Sequence, residues 1–345
     1  MRLLFFNPEN DLALAANDPH YTPPASALQR AADLELLPLQ WAEADDLILL
    51  RDGSLIDAQG TSIFDVQFSN FNYKPLPWGW SPLLVRQLRA FGVPEESLPT
   101  EEQVASYRSF SSRQTAVDLL RRLREVWPAP FSCGELVGES VWCSCEAEVL
   151  KAVEQYGCHA MLKAPWSSSG RGVHPVQQSL SEKTASWIRS TIQHQGGVEV
   201  EPLYNRVQDF ALEYWSEHGE VRYEGLSLFN TTAGGVYAGN LVATEEAKEA
   251  RLATYISLDL LHEVKERLTD LLNEARLPQW YDGPLGVDLM ITDCALHPFV
   301  EINLRMTMGW VALKLIHELG PDETASFSIL QQGGHYEALF RKNER

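Results

Sequence analysis

Two carboxylates and one amide are spaced along the chain so that together they could bind a metal ion. Asp288 lies within the apolar run 284–291, which predicts a strand, and Glu301 and Asn303 lie on the next predicted strand. Residues 292–295 predict a hairpin connection between them. The three side chains offer the hard oxygen donors that Mg²⁺ prefers. The alternative is that they are solvated charges at hairpin ends, and a second motif favours the metal site.

That second motif is a lysine followed by a loop rich in serine and glycine. Lys163 lies on a predicted apolar strand, and the loop 166–172 follows it; the loop contains Ser167, Ser168, Ser169, Gly170 and Gly172. Glycines let the backbone approach phosphate oxygens, while successive N–H groups and serine hydroxyls donate to them. The loop is neither a Walker motif nor a dinucleotide fingerprint. Alone it is also typical of a flexible turn, so its interpretation as a phosphate loop depends on the metal motif.

The order and spacing of the two motifs resemble those of the ATP-grasp superfamily. The pattern K-x-P-x-x-x-x-G-x-G matches at Lys163, Pro165, Gly170 and Gly172, and the late acidic pattern matches at Asp288, Glu301, Asn303 and Arg305. Between them, residues 198–204 look like the family's hinge strand. The resemblance covers roughly residues 100–320.

The resemblance implies a set of nucleotide-binding residues. Lys163 would reach the adenine and α-phosphate region, and Ser168, Ser169, Gly170 and Gly172 would fold over the phosphates as a flap. Either Glu199 or Glu201 would accept a hydrogen bond from adenine or ribose, and Leu203 would supply hinge backbone. Alternation places 199 and 201 on one face of the strand, so the pattern does not choose between them, although Glu201 abuts the Pro-Leu turn.

Two further residues have open interpretations. Arg113 stands where the family usually has a phosphate-binding lysine, and an arginine fork suits phosphate oxygens. A solvated charge in the first turn of a helix is the alternative. Asp209 stands where the family often has an acid that binds ribose or substrate, although its spacing is loose.

The resemblance also implies the metal chemistry. Asp288 and Glu301 would clamp Mg²⁺ between the β- and γ-phosphates, with Glu301 bridging two ions and Asn303 completing the second; Mn²⁺ could replace Mg²⁺. Arg305 would face the transferring phosphoryl group or hold a substrate carboxylate through two parallel hydrogen bonds.

The implied activity is that of an ATP-dependent ligase. A small-molecule or peptide carboxylate attacks the γ-phosphate, and an amine, or less often a thiol, then displaces phosphate from the acyl phosphate. The alternatives are a kinase that phosphorylates a small molecule and a nucleotide-binding protein without turnover.

Composition limits the other partners. The chain has 345 residues and a net charge of −19, which argues against binding nucleic acid or an anionic membrane by charge attraction. No segment approaches about 18 uninterrupted apolar residues, so no membrane helix is expected. Five cysteines form no even disulfide framework and lack a fourth ligand at zinc-finger spacing. Reduced thiols in the cytoplasm fit this pattern, and an oligomer remains open.

The predicted fold class combines α/β and α+β. A small parallel-sheet domain over 1–98, similar to a pre-ATP-grasp domain, precedes an ATP-grasp domain over 99–345. The second domain divides into lobes of about 99–197 and 198–325 and a tail to 345 without a recognisable motif. Predicted helices cover about 25–36, 81–92, 111–125, 182–194 and 244–276, with a capping box at Ser179 and Glu182 before the fourth. Candidate walls of the substrate site are the segments 7–11, 73–80 and 230–235.

Overall fold

The described residues fold into three sheets with helices packed against them. The computed structural model describes residues 1–64, 68, 72–167, 172–232, 237–277, 281–293 and 295–343. Within these residues, no helix combines the length and the apolar character needed to cross a bilayer.

The N-terminal sheet contains strands β1 to β5 in the order β4-β3-β2-β1-β5. Their bounds are β1 Arg2–Phe5, β2 Leu47–Leu49, β3 Leu55–Asp57, β4 Ser62–Ile63 and β5 Lys74–Pro77, and the accompanying helices are α1 Asn10–Ala16, α2 Ala25–Asp33 and α3 Pro82–Ala90. Strand β1 runs parallel to both β2 and β5, as predicted. The Asp52-Gly53 turn then reverses the chain, so β3 and β4 extend this sheet as antiparallel strands.

A second sheet of four antiparallel strands has the order β6-β9-β7-β8. Its strands are β6 Val141–Cys143, β7 Ala160–Lys163, β8 Val173–Val176 and β9 Val198–Pro202, and the helices in this region are α4 Glu101–Phe110, α5 Arg113–Val126, α6 Pro128–Cys133, α7 Glu146–Gln155 and α8 Glu182–Gln195. Apolar side chains of β7, β9, α7 and α8 form one buried cluster. This core holds β7 and β9 side by side, which brings the predicted lysine strand against the predicted hinge strand.

The cap predicted for α8 is wrong by two residues. The hydroxyl of Ser181, rather than that of Ser179, accepts a hydrogen bond from the Thr184 N–H at 3.1 Å. The helix ends as predicted, because Gly196 adopts a left-handed conformation there.

The third sheet contains seven antiparallel strands in the order β14-β13-β10-β11-β12-β15-β16. Its strands are β10 Arg206–Glu217, β11 Glu220–Thr231, β12 Tyr237–Val242, β13 Gly283–Thr292, β14 Leu296–Asn303, β15 Ala325–Gln332 and β16 His335–Lys342, and the last helices are α9 Glu245–Leu252, α10 Leu258–Glu274 and α11 Met308–Lys314. Two sequence expectations change here. The single helix predicted over 244–276 is two helices, since Ser257 caps α10 separately. The tail forms the β15–β16 hairpin, whose turn contains Gly333 and Gly334 with positive φ.

The two faces of this sheet differ in polarity because side chains alternate along each strand. Leu212, Val287 and Ile302 lie in register across β10, β13 and β14 and belong to the largest buried apolar cluster. The neighbouring positions point to the other face and carry Glu213, Asp288, Glu301 and Asn303. The core-facing residues therefore fix the position of a polar row on the opposite side.

Candidate active site

The metal-ligand motif is assembled by the β13–β14 hairpin. Asp288 and Glu301 are direct cross-strand partners, and Asn303 lies opposite Gly286, one step further along the same face. The amide nitrogen of Asn303 lies 3.4 Å from Asp288 Oδ2. The predicted hairpin is confirmed, and it brings the three oxygen-bearing side chains together.

The charges of this group favour a cation. Burial, together with the neighbouring charge of Glu301, raises the pKa of Asp288 to about 7. A divalent cation would offset both causes, and the two carboxylates and the amide are hard oxygen donors, so the donor set fits Mg²⁺. A cluster of three or more His, Cys, Asp or Glu side chains able to hold a metal does not occur among the described residues. The fit therefore depends on Asn303 as the third protein ligand.

Lys163 lies in a buried group of charges on the second sheet. Its partner across the β7–β9 pair is Glu199. Lys163 Nζ lies 2.8 Å from Glu201 Oε1 and 3.8 Å from Glu199 Oε1. Both glutamates face the lysine, so the expectation that they share one face of the strand is confirmed.

Glu199 is surrounded by cations. Its Oε2 lies 3.8 Å from Arg113 Nε, whereas its Oε1 faces Lys163. Burial still raises the pKa of Glu199 to about 7, in spite of the opposing attraction of Lys163. The contacts of this carboxylate are consistent with balancing two cations, while its contact with adenine stays a prediction.

Arg113 links the predicted phosphate loop to Glu301 of the predicted metal site. Ser112 caps α5, which places Arg113 in its first turn. Its guanidinium donates to Ala164 O at 2.6 Å, to Ser167 Oγ at 2.8 Å and to Glu301 Oε2 at 2.7 Å. The side chain is only 6% exposed, so the alternative of a solvated helix charge is wrong.

The base of the predicted phosphate loop is closed by a backbone hydrogen bond. Ala164 N donates to Gly172 O at 2.8 Å. Gly172 has a φ of +75°, and a Cβ there would lie 3.0 Å from Ser167 Cβ and 3.2 Å from Ala164 Cβ. This position therefore favours glycine for both conformation and space. The predicted flap residues Ser168, Ser169 and Gly170 lie outside the described residues.

Arg305 contacts the N-terminal segment. Its Nε and Nη2 donate to the two carboxylate oxygens of Asp11, each at 2.9 Å. Nη2 also donates to Asn303 Oδ1 at 2.8 Å. The guanidinium that the resemblance assigns to the transferring phosphoryl group or to a substrate carboxylate thus contacts the Asp11 carboxylate. The predicted substrate wall 7–11 lies directly beside the metal motif.

A polar cleft opens between these elements. Its walls come from α1, the α4–α5 turn, the start of the phosphate loop and the end of β14: Asn10, Asp11, Leu14, Ser111, Trp166, Ser167 and residues 301–305. It therefore borders the metal motif on one side and the N-terminal segment on the other. Of the third predicted wall, residues 233–235 lie outside the described residues.

Two predicted binding residues lie at the margin of the site. Leu203 N donates to His159 O at 3.0 Å where the chain leaves β9. Asp209 accepts a hydrogen bond from Thr231 Oγ1 at 3.0 Å, and Arg206 Nη1 lies 3.1 Å from it. Asp209 is two residues from the register partner of Asp288, so it lies on the same sheet face. Its ribose or substrate role stays a prediction.

The sequence analysis missed Glu213, which is 1% exposed on the polar face. Thr307 Oγ1 donates to its Oε1 at 2.8 Å, and its Oε2 has no hydrogen-bond partner among the described residues. A Cβ at Gly286 would lie 2.8 Å from this Oε2, and one at Gly309 would lie 2.0 Å from Oε1. The signal in the sequence was a lone glutamate within the apolar run of β10. Its position opposite Gly286 follows from the register of β10 and β13.

The buried Glu213 should make the free energy of unfolding depend on pH. Burial raises its pKa to about 8, against the hydrogen bond from Thr307. A carboxyl with a raised pKa in the folded state stabilises fully below its unfolded pKa and loses this contribution as the pH rises through the folded pKa. We expect the free energy of unfolding of the wild type to fall by about 2–4 kcal/mol between pH 5 and pH 9 because of Glu213. The variant Glu213→Gln should lack this decrease. Denaturant unfolding at both pH values measures this, with the exposed Glu224→Gln as the control. An unchanged pH dependence in Glu213→Gln would contradict the assignment.

Comparison with known proteins identifies the fold. The chain matches no protein-family model and no curated protein. It is similar to the solved structure of biotin carboxylase from Campylobacter jejuni in a β,γ-ATP complex, with a TM-score of 0.50 and 12% identity over 95% of this chain and 75% of that one. This neighbour is an ATP-grasp enzyme, and the protein has the ATP-grasp fold.

Two further neighbours are an N5-carboxyaminoimidazole ribonucleotide synthetase and an N5-carboxyaminoimidazole synthetase. The enzyme from Thermus thermophilus has a TM-score of 0.48 and 13% identity over 95% of this chain and 83% of that one. The enzyme from Staphylococcus aureus, complexed with ADP, has a TM-score of 0.46 and 14% identity over 75% of this chain. The chain spans 65% of the length of the Staphylococcus aureus enzyme.

Proposed function

We propose that the protein is an ATP- and Mg²⁺-dependent ligase that joins a small-molecule or peptide carboxylate to an amine, or less often to a thiol. The observation that carries the proposal is the cross-strand pair Asp288–Glu301, flanked by Asn303 and by the cations Arg113 and Arg305. This is a set of oxygen donors and positive charges suited to a triphosphate. The fold it shares with an enzyme solved in a β,γ-ATP complex supports the same conclusion.

Each part of the site has a place in this reaction. Asp288, Glu301 and Asn303 would hold Mg²⁺, which when bound neutralises charge on the phosphates. Lys163 and Arg113 contribute positive charge on the nucleotide side. The cleft beside Asp11 and Arg305 borders the metal motif, so a substrate carboxylate that bound at this edge would lie next to the γ-phosphate.

The reaction needs no nucleophilic side chain. A carboxylate oxygen of the substrate attacks the γ-phosphorus, the bond between this phosphorus and the β,γ-bridging oxygen breaks, and ADP leaves. The amine then attacks the acyl carbon of the acyl phosphate, loses a proton, and phosphate leaves with the electron pair of the broken C–O bond. Catalysis by the protein consists of positioning and charge stabilisation.

ADP release, screened against pairs of carboxylates and amines, tests the proposal. With an active pair, the carboxylate is labelled with ¹⁸O. Passage through an acyl phosphate transfers one labelled oxygen into inorganic phosphate, with one amide formed per ADP. A stable phosphorylated product without amide or thioester would indicate a kinase instead. ATP binding without turnover of any pair would favour the non-catalytic alternative.

We also propose the domain division at residues 98 and 99 and the lobes of about 99–197 and 198–325. The tail then belongs structurally to the second lobe, because β15 pairs with β12.

We propose the cytoplasm as the compartment, since Cys133, Cys143, Cys145 and Cys158 are free thiols.

A further inference from the structure

A chain of polar contacts runs from the N-terminal segment to the metal motif. It begins at Asp11 on α1 and passes through Arg305 to Asn303, whose amide nitrogen faces Asp288. Asp11 and Arg305 are separated by 294 positions in the sequence. The N-terminal segment thus reaches a predicted metal ligand through a single intermediate side chain.

The donors of Arg305 are almost completely used. A guanidinium has five N–H groups. Two donate to Asp11, one donates to Asn303 Oδ1, and Nη1 donates to Met306 O at 3.1 Å. One N–H of Nη1 is left after these four contacts. Because the planar fork is fixed by the Asp11 carboxylate, the orientation of the remaining donors is fixed as well.

The N-terminal segment that carries Asp11 is held by contacts with the segment that follows β5. Asn7 Nδ2 donates to Gly79 O at 2.8 Å, and Gly79 N donates back to Asn7 Oδ1 at 3.2 Å. Gly79 forms an antiparallel bridge with Arg305, and Met306 N donates to Trp78 O at 2.8 Å. The segment that carries Asp11 and the end of β14 are therefore both joined to the segment that follows β5, which fixes the two members of the Asp11–Arg305 pair relative to each other.

Two carboxylates other than Asp11 attract the Arg305 guanidinium. Asp288 and Glu301 both interact electrostatically with its guanidinium. If the Asp11 carboxylate were removed, the partly buried Arg305 guanidinium would lose the carboxylate that it pairs with at 2.9 Å. Asp288 and Glu301, the carboxylates that would hold the metal, would then compete for the guanidinium, and Asp11 would no longer fix the donor that contacts Asn303 Oδ1.

We infer that Asp11 is a positioning residue for the metal site: it holds Arg305 away from Asp288 and Glu301 and, through Arg305, orients Asn303. This inference rests on the proposed function. Residues that orient metal ligands from outside the coordination shell commonly affect metal affinity by about 10- to 100-fold. Because Asp11 acts through one further residue, we expect an effect of about tenfold.

The test measures metal binding directly, without turnover. Mn²⁺ serves as the paramagnetic probe, and β,γ-methylene-ATP serves as the non-hydrolysable nucleotide. Free Mn²⁺ is titrated by electron paramagnetic resonance in the presence of the nucleotide, and calorimetry gives the nucleotide affinity in EDTA. The variants are Asp11→Asn, which removes the charge; Asp11→Ser, which removes the fork; and Asp11→Glu, which keeps the carboxylate. Asp18→Asn is the matched control, since Asp18 is exposed and accepts a local hydrogen bond from His20 N at 2.8 Å.

We expect Asp11→Asn and Asp11→Ser to raise the Mn²⁺ dissociation constant about tenfold, with metal-free nucleotide affinity within about twofold of wild type. Asp11→Glu should recover most of the loss, and Asp18→Asn should match wild type. Unchanged Mn²⁺ affinity in either folded charge-removing variant overturns the inference, as does an equal loss of metal-free nucleotide affinity. If wild type itself binds no nucleotide, the proposed function fails, which is a different result.

Discussion

Glu301→Gln is expected to lower ATP-dependent ligation by about 10²- to 10³-fold while nucleotide binding persists. The substitution keeps the size of the side chain and one oxygen, but it removes the charge opposite Asp288. Stabilisation of transition-state charge by a bound metal amounts to several kcal/mol, and each ~1.4 kcal/mol is a factor of ten in rate. The adenine end is held elsewhere in this account, so calorimetry with β,γ-methylene-ATP should show a smaller change than the turnover assay.

Asp293→Asn provides the matched control for this experiment. Asp293 belongs to the same hairpin, but its oxygens accept hydrogen bonds from Asn205 Nδ2 at 2.6 and 2.8 Å, away from the metal motif. Its turnover should stay within about twofold of wild type, as for most surface substitutions. Equal losses at positions 293 and 301, or no loss at 301, would place the metal site on other residues.

Lys163→Met is expected to weaken nucleotide binding and to destabilise the fold at the same time. Lys163 is 7% exposed and contacts both Glu199 and Glu201. Loss of a charged contact to phosphate reduces affinity by about 1.5–3 kcal/mol, or roughly 10- to 100-fold. Removing one partner from a buried ion pair typically destabilises by about 3–5 kcal/mol. The destabilisation should be larger at pH 8 than at pH 5, because Glu199, with its raised pKa, is protonated at the lower pH.

The double variant Lys163→Met/Glu201→Gln separates the two effects. It also removes the charge of Glu201, the carboxylate that lies 2.8 Å from Lys163 Nζ in the wild type, so denaturant unfolding should show that part of the stability returns. Nucleotide affinity should not return, because the cation is still absent. Lys151→Met, an exposed position on α7, controls for the loss of one positive charge. Wild-type nucleotide affinity in the folded double variant would show that Lys163 has only a structural role.

The parts of the site that follow from local sequence were predictable. Asp288 and Glu301 face each other because a short hairpin fixes the register of β13 and β14. Glu199 and Glu201 share a face because side chains alternate along β9. The periodicity of these strands, together with their turn residues, contains this information within a short stretch of chain.

The long-range ion pairs were not predictable in the same way. Arg113 and Glu301 are 188 positions apart, and Arg305 and Asp11 are 294 positions apart. Each contact depends on how separate sheets and helices pack, and the local pattern at Arg113 is equally compatible with a solvated helix charge. The same limit applies to Glu213, whose burial results from packing against Gly286 and Gly309.

The most direct test of the central claim is the thermal melting of the wild-type protein with ATP and Mg²⁺. Parallel samples contain GTP with Mg²⁺, ATP with EDTA, and no ligand. A ligand at about a hundred times its dissociation constant stabilises the folded state by about 2.7 kcal/mol. The account predicts a melting temperature that rises with ATP–Mg²⁺ concentration and rises less when EDTA removes the metal. The absence of any shift at millimolar ATP–Mg²⁺ would contradict a nucleotide site built from Lys163, Asp288 and Glu301.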